Sequence, residues 1–80
     1  AKALAEEVLK HTDVYGVLLC GSGIGASIVA NRYKGIRAAL CRDEYDAEMS
    51  RKHNNANVIC LGGRVTPVEK MKKMVELFLK

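Results

Sequence analysis

The chain has no tryptophan, one proline and few aromatic residues, and none of its apolar runs is as long as a membrane span. Of its 80 residues, 49% are hydrophobic, which is too many for an intrinsically disordered chain. A spanning helix needs about 18 consecutive apolar residues, so we expect no membrane partner. A domain of this length buries only about 60% of its unfolded surface, which predicts one small domain over residues 1–80.

Positive charges exceed negative charges by four, but the basic residues are scattered from Lys2 to Lys80. A nucleic-acid-binding surface needs clustered cations and aromatic side chains on which bases can stack. We therefore expect no nucleic-acid partner, and a small anionic ligand fits this composition better.

The cysteines are odd in number and lack C-x-x-C spacing. Their positions are Cys20, Cys41 and Cys60. This pattern argues against a disulfide framework and against a zinc site, so we expect reduced thiols in a cytoplasmic protein with no metal. The chain also opens on the helix-like stretch "AKALAEEVLK" without a starting methionine, which predicts a piece of a longer protein.

Three short apolar runs alternate with segments of helical spacing. The runs "VYGVLLC" (14–20), "IRAALC" (36–41) and "NVICLG" (57–62) have the character of strands buried on both faces of a parallel sheet. The first helix is predicted to pack through Ala1, Leu4, Ala5, Val8 and Leu9. The order α-β-α-β-α-β-α predicts an α/β fold, a Rossmann-like three-layer α/β/α arrangement with three parallel strands.

The later helices carry predicted end signals. Gly35 is placed for a left-handed C-cap of the second helix, and Asp43 for the N-cap of a third helix that runs to about His53. Thr66 and Glu69 are predicted to form the capping box of the last helix, with Pro67 at its first position. The inward faces are predicted to be Ala26, Val29, Ala30 and Tyr33 on the second helix, and Val68, Met71, Val75 and Phe78 on the last.

Ligands of open α/β sheets bind outside the carboxyl ends of the strands, and the first such end carries "CGSGIG". Glycines at 21, 23 and 25 let successive amides converge on an anion or a developing oxyanion, although a bare tight turn has the same pattern. Cys20 precedes them beside a helix N-terminus, where a thiol is activated as a nucleophile or base; the alternative is a buried core thiol. Cys60 is assigned to the core, and for Cys41 the sequence leaves both interpretations open and favours a structural one.

Two downstream residues are weaker candidates when judged by the sequence pattern alone. His53 ends the third helix, where a histidine more often caps or lies on the surface than takes part in catalysis. Arg64 follows two glycines at a strand end and could reach an anion or be a solvated loop residue.

The glycine loop alone admits several chemistries. Gly21, Gly23 and Ala26 satisfy the dinucleotide pattern G-x-G-x-x-A, but the chain supplies only half of such a domain. A cysteine phosphatase loop needs arginine six positions after the thiol, where this chain has Ala26. A phosphocysteine IIB component of the phosphotransferase system remains an alternative, because it carries its cysteine ahead of a similar loop.

The runs "GVLLCGSGIGASIVANRYKGIRAALC" and "AEMSRKHNNANVICLGGRV" resemble the type-B ribose-5-phosphate isomerases and the galactose-6-phosphate isomerase subunits. The resemblance implies an aldose–ketose isomerase that acts on a sugar phosphate through an enediolate, without a cofactor. It disfavours the IIB alternative, in which no "HNNAN" segment follows the cysteine strand.

The resemblance also implies roles for individual residues. Cys20 matches the proton acceptor, and His53 the proton donor linked to opening of the sugar ring. The loop that holds the substrate and stabilises the oxyanion is matched by Gly21, Ser22, Gly23, Ile24 and Gly25, with the Ser22 hydroxyl where threonine is common. Asn54 and Arg64 match further substrate-binding positions.

The chain lacks two segments of that family, the N-terminal strand ending in Asp-His and the C-terminal tail with phosphate-binding arginines. Family members are dimers or larger homo-oligomers whose active sites are shared between subunits. A second hypothesis is therefore a truncated or engineered scaffold that folds without catalysing the reaction, and its unpaired apolar sheet edge would favour self-association.

Overall fold

A computed structural model describes residues 2–11 and 14–80. Ala1, predicted on the inward face of the first helix, lies outside the described residues. The helices are α1 (Lys2–Lys10), α2 (Ile24–Ala30), α3 (Glu44–Lys52) and α4 (Val68–Leu79). The strands are β1 (Gly16–Cys20), β2 (Ala38–Leu40) and β3 (Val58–Gly62), which confirms the predicted order of elements.

The three strands form one parallel sheet in the order β1-β3-β2. Gly16 of β1 lies opposite Val58 of β3 at the amino end, and Cys20 lies opposite Gly62 at the carboxyl end. The predicted parallel sheet is confirmed, and Cys20 stands at its carboxyl end.

Central strand β3 is buried on both faces and separates two apolar clusters. Ile59 and Leu61 belong to the cluster that contains Met74 and Phe78 of α4. On the opposite face of the sheet, the cluster is made by Val58 and Cys60 with Ala5, Val8, Ala30 and Ile36. Helices thus cover both faces of β3, which confirms the three-layer arrangement.

Burial of β1 on both faces was predicted and is wrong, because β1 is an edge strand. Gly16 is buried, but Val17 is exposed and Leu19 is 62% exposed. Helix α1 covers one face, where Leu4 would lie 2.6 Å from a Cβ on Gly16. The opposite face is only partly covered by α4.

Helix α2 is shorter than predicted and ends at Ala30, with Asn31 as its C-cap. Gly35 adopts the predicted left-handed conformation (φ 94°), but in the turn after the helix. Val29, predicted to face the core, is 41% exposed, whereas Tyr33 lies beyond the helix and still packs against the core. The early end has a physical reason, since the Asn31 side chain hydrogen-bonds to the backbone of β2.

The two other helix starts had different outcomes. The Asp43 carboxylate accepts the N–H of Asp46 at 2.8 Å, which confirms the predicted N-cap of α3. The capping box of α4 is wrong: its N-cap is Pro67 and has no side-chain cap bond, because buried Thr66 belongs to the turn after β3, where its N–H donates to the Gly62 carbonyl.

The inward face of α4 is also partly different from the prediction. Phe78 is fully buried, but Met74 shares the deepest position and was not predicted. Val68 is 61% exposed, so its predicted core position is wrong; it borders the same uncovered face as Val17 and Leu19. Among the described residues no helix could cross a membrane, and no group of three or more acidic, histidine or cysteine side chains is placed to hold a metal ion.

Candidate active site

The thiol of Cys20 is held by the loop that follows it. The N–H of Gly23 donates to Sγ of Cys20 at 3.1 Å, and the N–H of Ile24 donates to Oγ of Ser22 at 3.2 Å. Cys20 and Ser22 are both half-buried, and Ile24 is exposed. The Cys20 thiol and the Ser22 hydroxyl are therefore held side by side at the carboxyl end of the sheet, where a small ligand can reach both.

Gly23 is required by the backbone and by its neighbours. Its φ of 84° is left-handed, and a Cβ there would lie 2.6 Å from Cδ1 of Leu40 and 3.1 Å from the carbonyl carbon of Leu61. Gly62 is equally confined, because a Cβ there would lie 2.6 Å from the Ser22 carbonyl oxygen. These two glycines let β1, β3 and the loop approach closely, so the loop is a rigid part of the fold.

Gly25 is a glycine of a different kind. It lies in the first turn of α2, is exposed, and a Cβ there would meet nothing within 4 Å. A helical glycine costs about 1 kcal/mol relative to alanine. No neighbour among the described residues therefore requires a glycine at position 25.

Arg64 completes the carboxyl end from the β3 side. Its N–H donates to the Gly21 carbonyl at 2.9 Å, and the N–H of Gly63 donates to the Cys20 carbonyl at 2.7 Å. The Arg64 side chain lies over Gly21, since a Cβ there would be 3.4 Å from Cδ and from Nε. No carboxylate of the described residues forms an ion pair with Arg64. This guanidinium is placed to bind an anion at the loop.

His53 and Asn54 lie at the other end of the sheet. Helix α3 starts beside the carboxyl end of β2 and returns to the amino end of β3, and His53 is its C-cap. Both residues are exposed. A five-residue strand such as β3 is about 16 Å long. One chain therefore brings Cys20, Ser22 and Arg64 together but leaves His53 and Asn54 about a strand length away.

The sequence analysis missed a cluster that fixes the segment around His53. One guanidinium N–H group of Arg51 donates to the Tyr15 hydroxyl at 2.9 Å, and another donates to the Ala56 carbonyl. The same guanidinium lies 4.3 Å from the centre of the Tyr15 ring. Nε of Arg37 donates to the Asn55 carbonyl at 2.7 Å. These bonds tie the turn after α3 to the residues that immediately precede β1 and β2.

Cys41 and Cys60 differ from Cys20 in burial. Both are fully enclosed, and burial raises the pKa of each thiol from 9.0 to about 11. Neutral thiols are poor nucleophiles at neutral pH, so these two side chains are core residues, in agreement with their predicted roles. Cys20 is the one cysteine that solvent reaches.

Comparison with known proteins identifies the family. The model of the Ribose/Galactose Isomerase family matches residues 1–80. Ribose-5-phosphate isomerase B of Escherichia coli is 47% identical over 64 residues, covering 80% of this chain and 43% of that protein. Galactose-6-phosphate isomerase subunit LacB of Clostridium acetobutylicum is 46% identical over 79 residues, covering 99% of this chain and 46% of that protein.

Solved structures show the same likeness. Ribose-5-phosphate isomerase B of Giardia lamblia superposes with a TM-score of 0.96 at 52% identity, over all of this chain and 64% of that one. The Mycoplasma genitalium enzyme with bound ribulose-5-phosphate has a TM-score of 0.93 at 42% identity, over 98% of this chain and 52% of that one. The chain spans about half the length of the curated relatives it matches. It belongs to the ribose/galactose isomerase family.

Proposed function

We propose that the chain carries the acid–base core of an aldose–ketose isomerase for a sugar phosphate, of the type that interconverts ribose 5-phosphate and ribulose 5-phosphate. The observation that carries the proposal is the half-buried Cys20 thiol, which accepts a hydrogen bond from the amide of Gly23 in the glycine loop. Arg64 lies beside this loop. Membership of the isomerase family supports it. Erythrulose 4-phosphate and galactose 6-phosphate are further substrate candidates, from the names of relatives.

The proposed chemistry moves one proton between neighbouring carbons. The thiolate of Cys20 removes the proton from the hydroxyl-bearing carbon next to the open-chain carbonyl, and the released electron pair moves onto the carbonyl oxygen to give an enediolate. The loop amides and the Ser22 hydroxyl stabilise that oxygen. The thiol then returns the proton to the former carbonyl carbon, and the hydroxyl proton passes from its oxygen to the former carbonyl oxygen, so that the carbonyl now lies on the neighbouring carbon. The substrate is its own oxidant and reductant, so this route uses no redox cofactor.

Two of the three remaining roles, those of His53 and Asn54, require a second copy. His53 protonates the ring oxygen as the sugar opens, and Asn54 and Arg64 bind the substrate. Because His53 and Asn54 lie at the far end of the same chain, we propose a homodimer or larger homo-oligomer in which they reach the Cys20 loop of a neighbouring copy. The exposed apolar side of α2, formed by Ile24, Ile28 and Val29, begins at the loop and is the proposed contact surface.

The proposal includes a cytoplasmic location. It is supported by the three free cysteines, because a reducing compartment keeps such thiols unpaired.

The second candidate is a scaffold of this family that folds but does not turn over substrate. It is favoured by the chain spanning about half the length of its relatives, since those proteins have further residues outside the matched region. A chimera separates the candidates: these 80 residues replace the matching segment of the Escherichia coli isomerase. If the chimera is active and the 80-residue chain is inactive, the isolated chain is a non-catalytic scaffold, and the same residues perform the acid–base chemistry when the rest of the enzyme is present.

The deciding experiment is isomerisation of ribose 5-phosphate by the 80-residue chain and by the chimera, each with Cys20→Ala. General acid–base catalysis contributes about 10²–10⁴-fold, so the active form should lose activity by that factor. Cys41→Ala is the matched control, because it removes a buried thiol on another strand end and should retain activity. Full activity in the Cys20→Ala form would contradict the proposed base.

A further inference from the structure

The backbone at Asn55, which directly follows His53 and Asn54, has a conformation that residues with a side chain rarely adopt. Asn55 has a φ of 49° and is the one residue other than glycine with a positive φ in the described part of the chain. Asparagine tolerates this left-handed conformation better than most residues, but the right-handed one remains more favourable. The turn therefore depends on contacts from elsewhere in the fold.

Two arginines hold the carbonyl groups that follow this turn. Nε of Arg37 donates to the Asn55 carbonyl at 2.7 Å, and a guanidinium N–H of Arg51 donates to the Ala56 carbonyl. The carbonyls of two consecutive residues thus accept hydrogen bonds from two different guanidinium groups. Because hydrogen bonds from charged donors are the stronger kind, the path of the backbone after Asn54 is fixed.

The backbone of Arg37 is itself anchored at the edge of the sheet. Its N–H donates to the Asn57 side chain at 2.8 Å, and its carbonyl accepts the N–H of Asn57 at 3.0 Å. Its Nη1 donates to the Gly35 carbonyl at 3.1 Å, and the same carbonyl accepts a hydrogen bond from the Asn57 side chain. Arg37 directly precedes β2, so its guanidinium reaches the turn from a backbone that β3 holds in register.

The side chains of His53 and Asn54 depend on this backbone for their direction. Both are exposed, and an exposed side chain has few packed neighbours to orient it. The N–H of His53 donates to the Met49 carbonyl at 2.8 Å, which fixes the start of the turn to α3. The bond from Arg37 fixes the other end at Asn55. His53 and Asn54 are therefore held from both sides.

We propose that Arg37 is a positioning residue for His53 and Asn54. The inference rests on the proposed function, in which these two residues serve the Cys20 loop of a neighbouring copy. Arg37 acts through the Asn55 carbonyl and does not contact the substrate. A displacement of about 1 Å at a catalytic group costs up to about 10²-fold in rate, so loss of this bond should lower kcat.

The test is made in whichever protein isomerises ribose 5-phosphate, the 80-residue chain or the chimera. In a co-refolded mixture of Cys20→Ala and His53→Ala chains, each working site combines His53 of the first chain with Cys20 of the second. Arg37→Met removes the guanidinium donors and keeps an unbranched side chain. In the Cys20→Ala chain it disturbs the working His53, so the kcat of the mixture should fall about tenfold or more.

The matched control is the same substitution in the other chain. Arg37→Met in the His53→Ala chain should leave the recovered activity unchanged, because the segment that it positions takes no part in the working site. Both mixtures contain the same substitutions, so a general loss of stability affects them equally.

Asn55 gives an independent test of the turn. Asn55→Ala disfavours the left-handed φ, whereas Asn55→Gly permits it and keeps the carbonyl that Arg37 binds. In the Cys20→Ala chain, Asn55→Ala should lower the recovered kcat about fivefold, and Asn55→Gly should retain it. Equal activity of the two Asn55 variants would contradict the role of the turn.

The remaining outcomes separate this inference from the proposed function. Equal losses from Arg37→Met in either chain would show a purely structural role and would overturn the inference. A raised KM at unchanged kcat would also overturn it, because Arg37 would then bind the substrate directly. If the mixture without any change at Arg37 or Asn55 recovers no activity, the shared site of the proposed function is wrong, and this inference falls with it.

Discussion

At the carboxyl end of the sheet the chain turns on glycines and backbone hydrogen bonds, whereas at the amino end it is tied by arginine side chains. Gly23 and Gly62 allow the strand ends and the loop to touch, and Cys20 and Arg64 stand on that backbone. At the amino end Arg51 hydrogen-bonds to Tyr15, just before β1, across 36 residues of sequence. The carboxyl end therefore depends on glycines, which have no side chain, and the amino end depends on the side chains of arginine residues.

In the proposed function, this difference separates two roles within one fold. The backbone-built loop uses the amides of Gly23 and Ile24 to hold the Cys20 thiol and the Ser22 hydroxyl, and both side chains remain partly exposed to solvent. At the amino end, the guanidinium N–H groups of Arg37 and Arg51 are used in hydrogen bonds that hold the turn after His53. We infer that the first end performs proton transfer on the substrate and that the second presents His53 to another copy.

Gly23→Ala should have the largest effect on the carboxyl end. The left-handed φ and the contacts with Leu40 and Leu61 leave no room for a methyl group, so the free energy of unfolding should fall by about 2–4 kcal/mol. Urea unfolding followed by circular dichroism measures it. A loss below about 0.5 kcal/mol would show that the loop is not clamped as described.

The next largest effect is the pH dependence of the free energy of unfolding that the buried thiols of Cys41 and Cys60 produce. Because the folded-state pKa of Cys41 and of Cys60 is about 11, above the ordinary 9.0, the neutral thiols favour the fold below pH 9. That stability is lost as the pH rises from 9 through 11, by on the order of 2 kcal/mol for each thiol.

Alkylation supplies a direct readout of the same difference. Iodoacetamide at pH 8 should label Cys20 in the folded chain and spare Cys41 and Cys60, as mass spectrometry of peptides would show. Urea-unfolded chain should be labelled at all three positions. Equal labelling of the three thiols in the folded chain would contradict their different burial.

Arg51→Ala should weaken the amino end. The variant loses bonds to Tyr15 and Ala56 and the contact with the Tyr15 ring, which together contribute about 1–3 kcal/mol. Arg51→Lys is the control, since it keeps the charge over the ring without the forked donors and should lose less. An unchanged urea midpoint in Arg51→Ala would show that the cluster does not hold the turn.

Gly25→Ala should have the smallest effect on folding, and in the opposite direction. With no neighbour within 4 Å, the new methyl group is tolerated and helix propensity should add up to about 1 kcal/mol of stability. If substrate occupies that space, the KM for ribose 5-phosphate in the chimera should rise. Unchanged KM would remove Gly25 from the substrate site.

Local patterns predicted the elements well because their signals are local. The alternation of apolar runs and the Asp43 cap depend on neighbours in sequence, and the structure confirms them. The exposure of Leu19 and Val68 was missed because an apolar run does not reveal whether its strand lies in the centre or at the edge of a sheet.

The Arg51 cluster could not be predicted for a related reason. Tyr15 and Arg51 are distant in sequence, and no spacing rule connects them. The separation of Cys20 from His53, by contrast, follows from topology, since a helix between two parallel strands returns to the opposite end of the sheet. The order of elements already contained that information, although the sequence motifs had grouped both residues in one site.

The central claim is an active site assembled from two copies. It is tested most directly by mixing two inactive variants, both made in whichever protein isomerises ribose 5-phosphate, the 80-residue chain or the chimera. Cys20→Ala and His53→Ala should each be inactive alone. After the mixture is unfolded and refolded together, half of the dimers should contain one intact site, and activity should return to about a quarter of wild type. No recovery in refolded mixtures, with mixed dimers demonstrated by mass, would contradict a shared site.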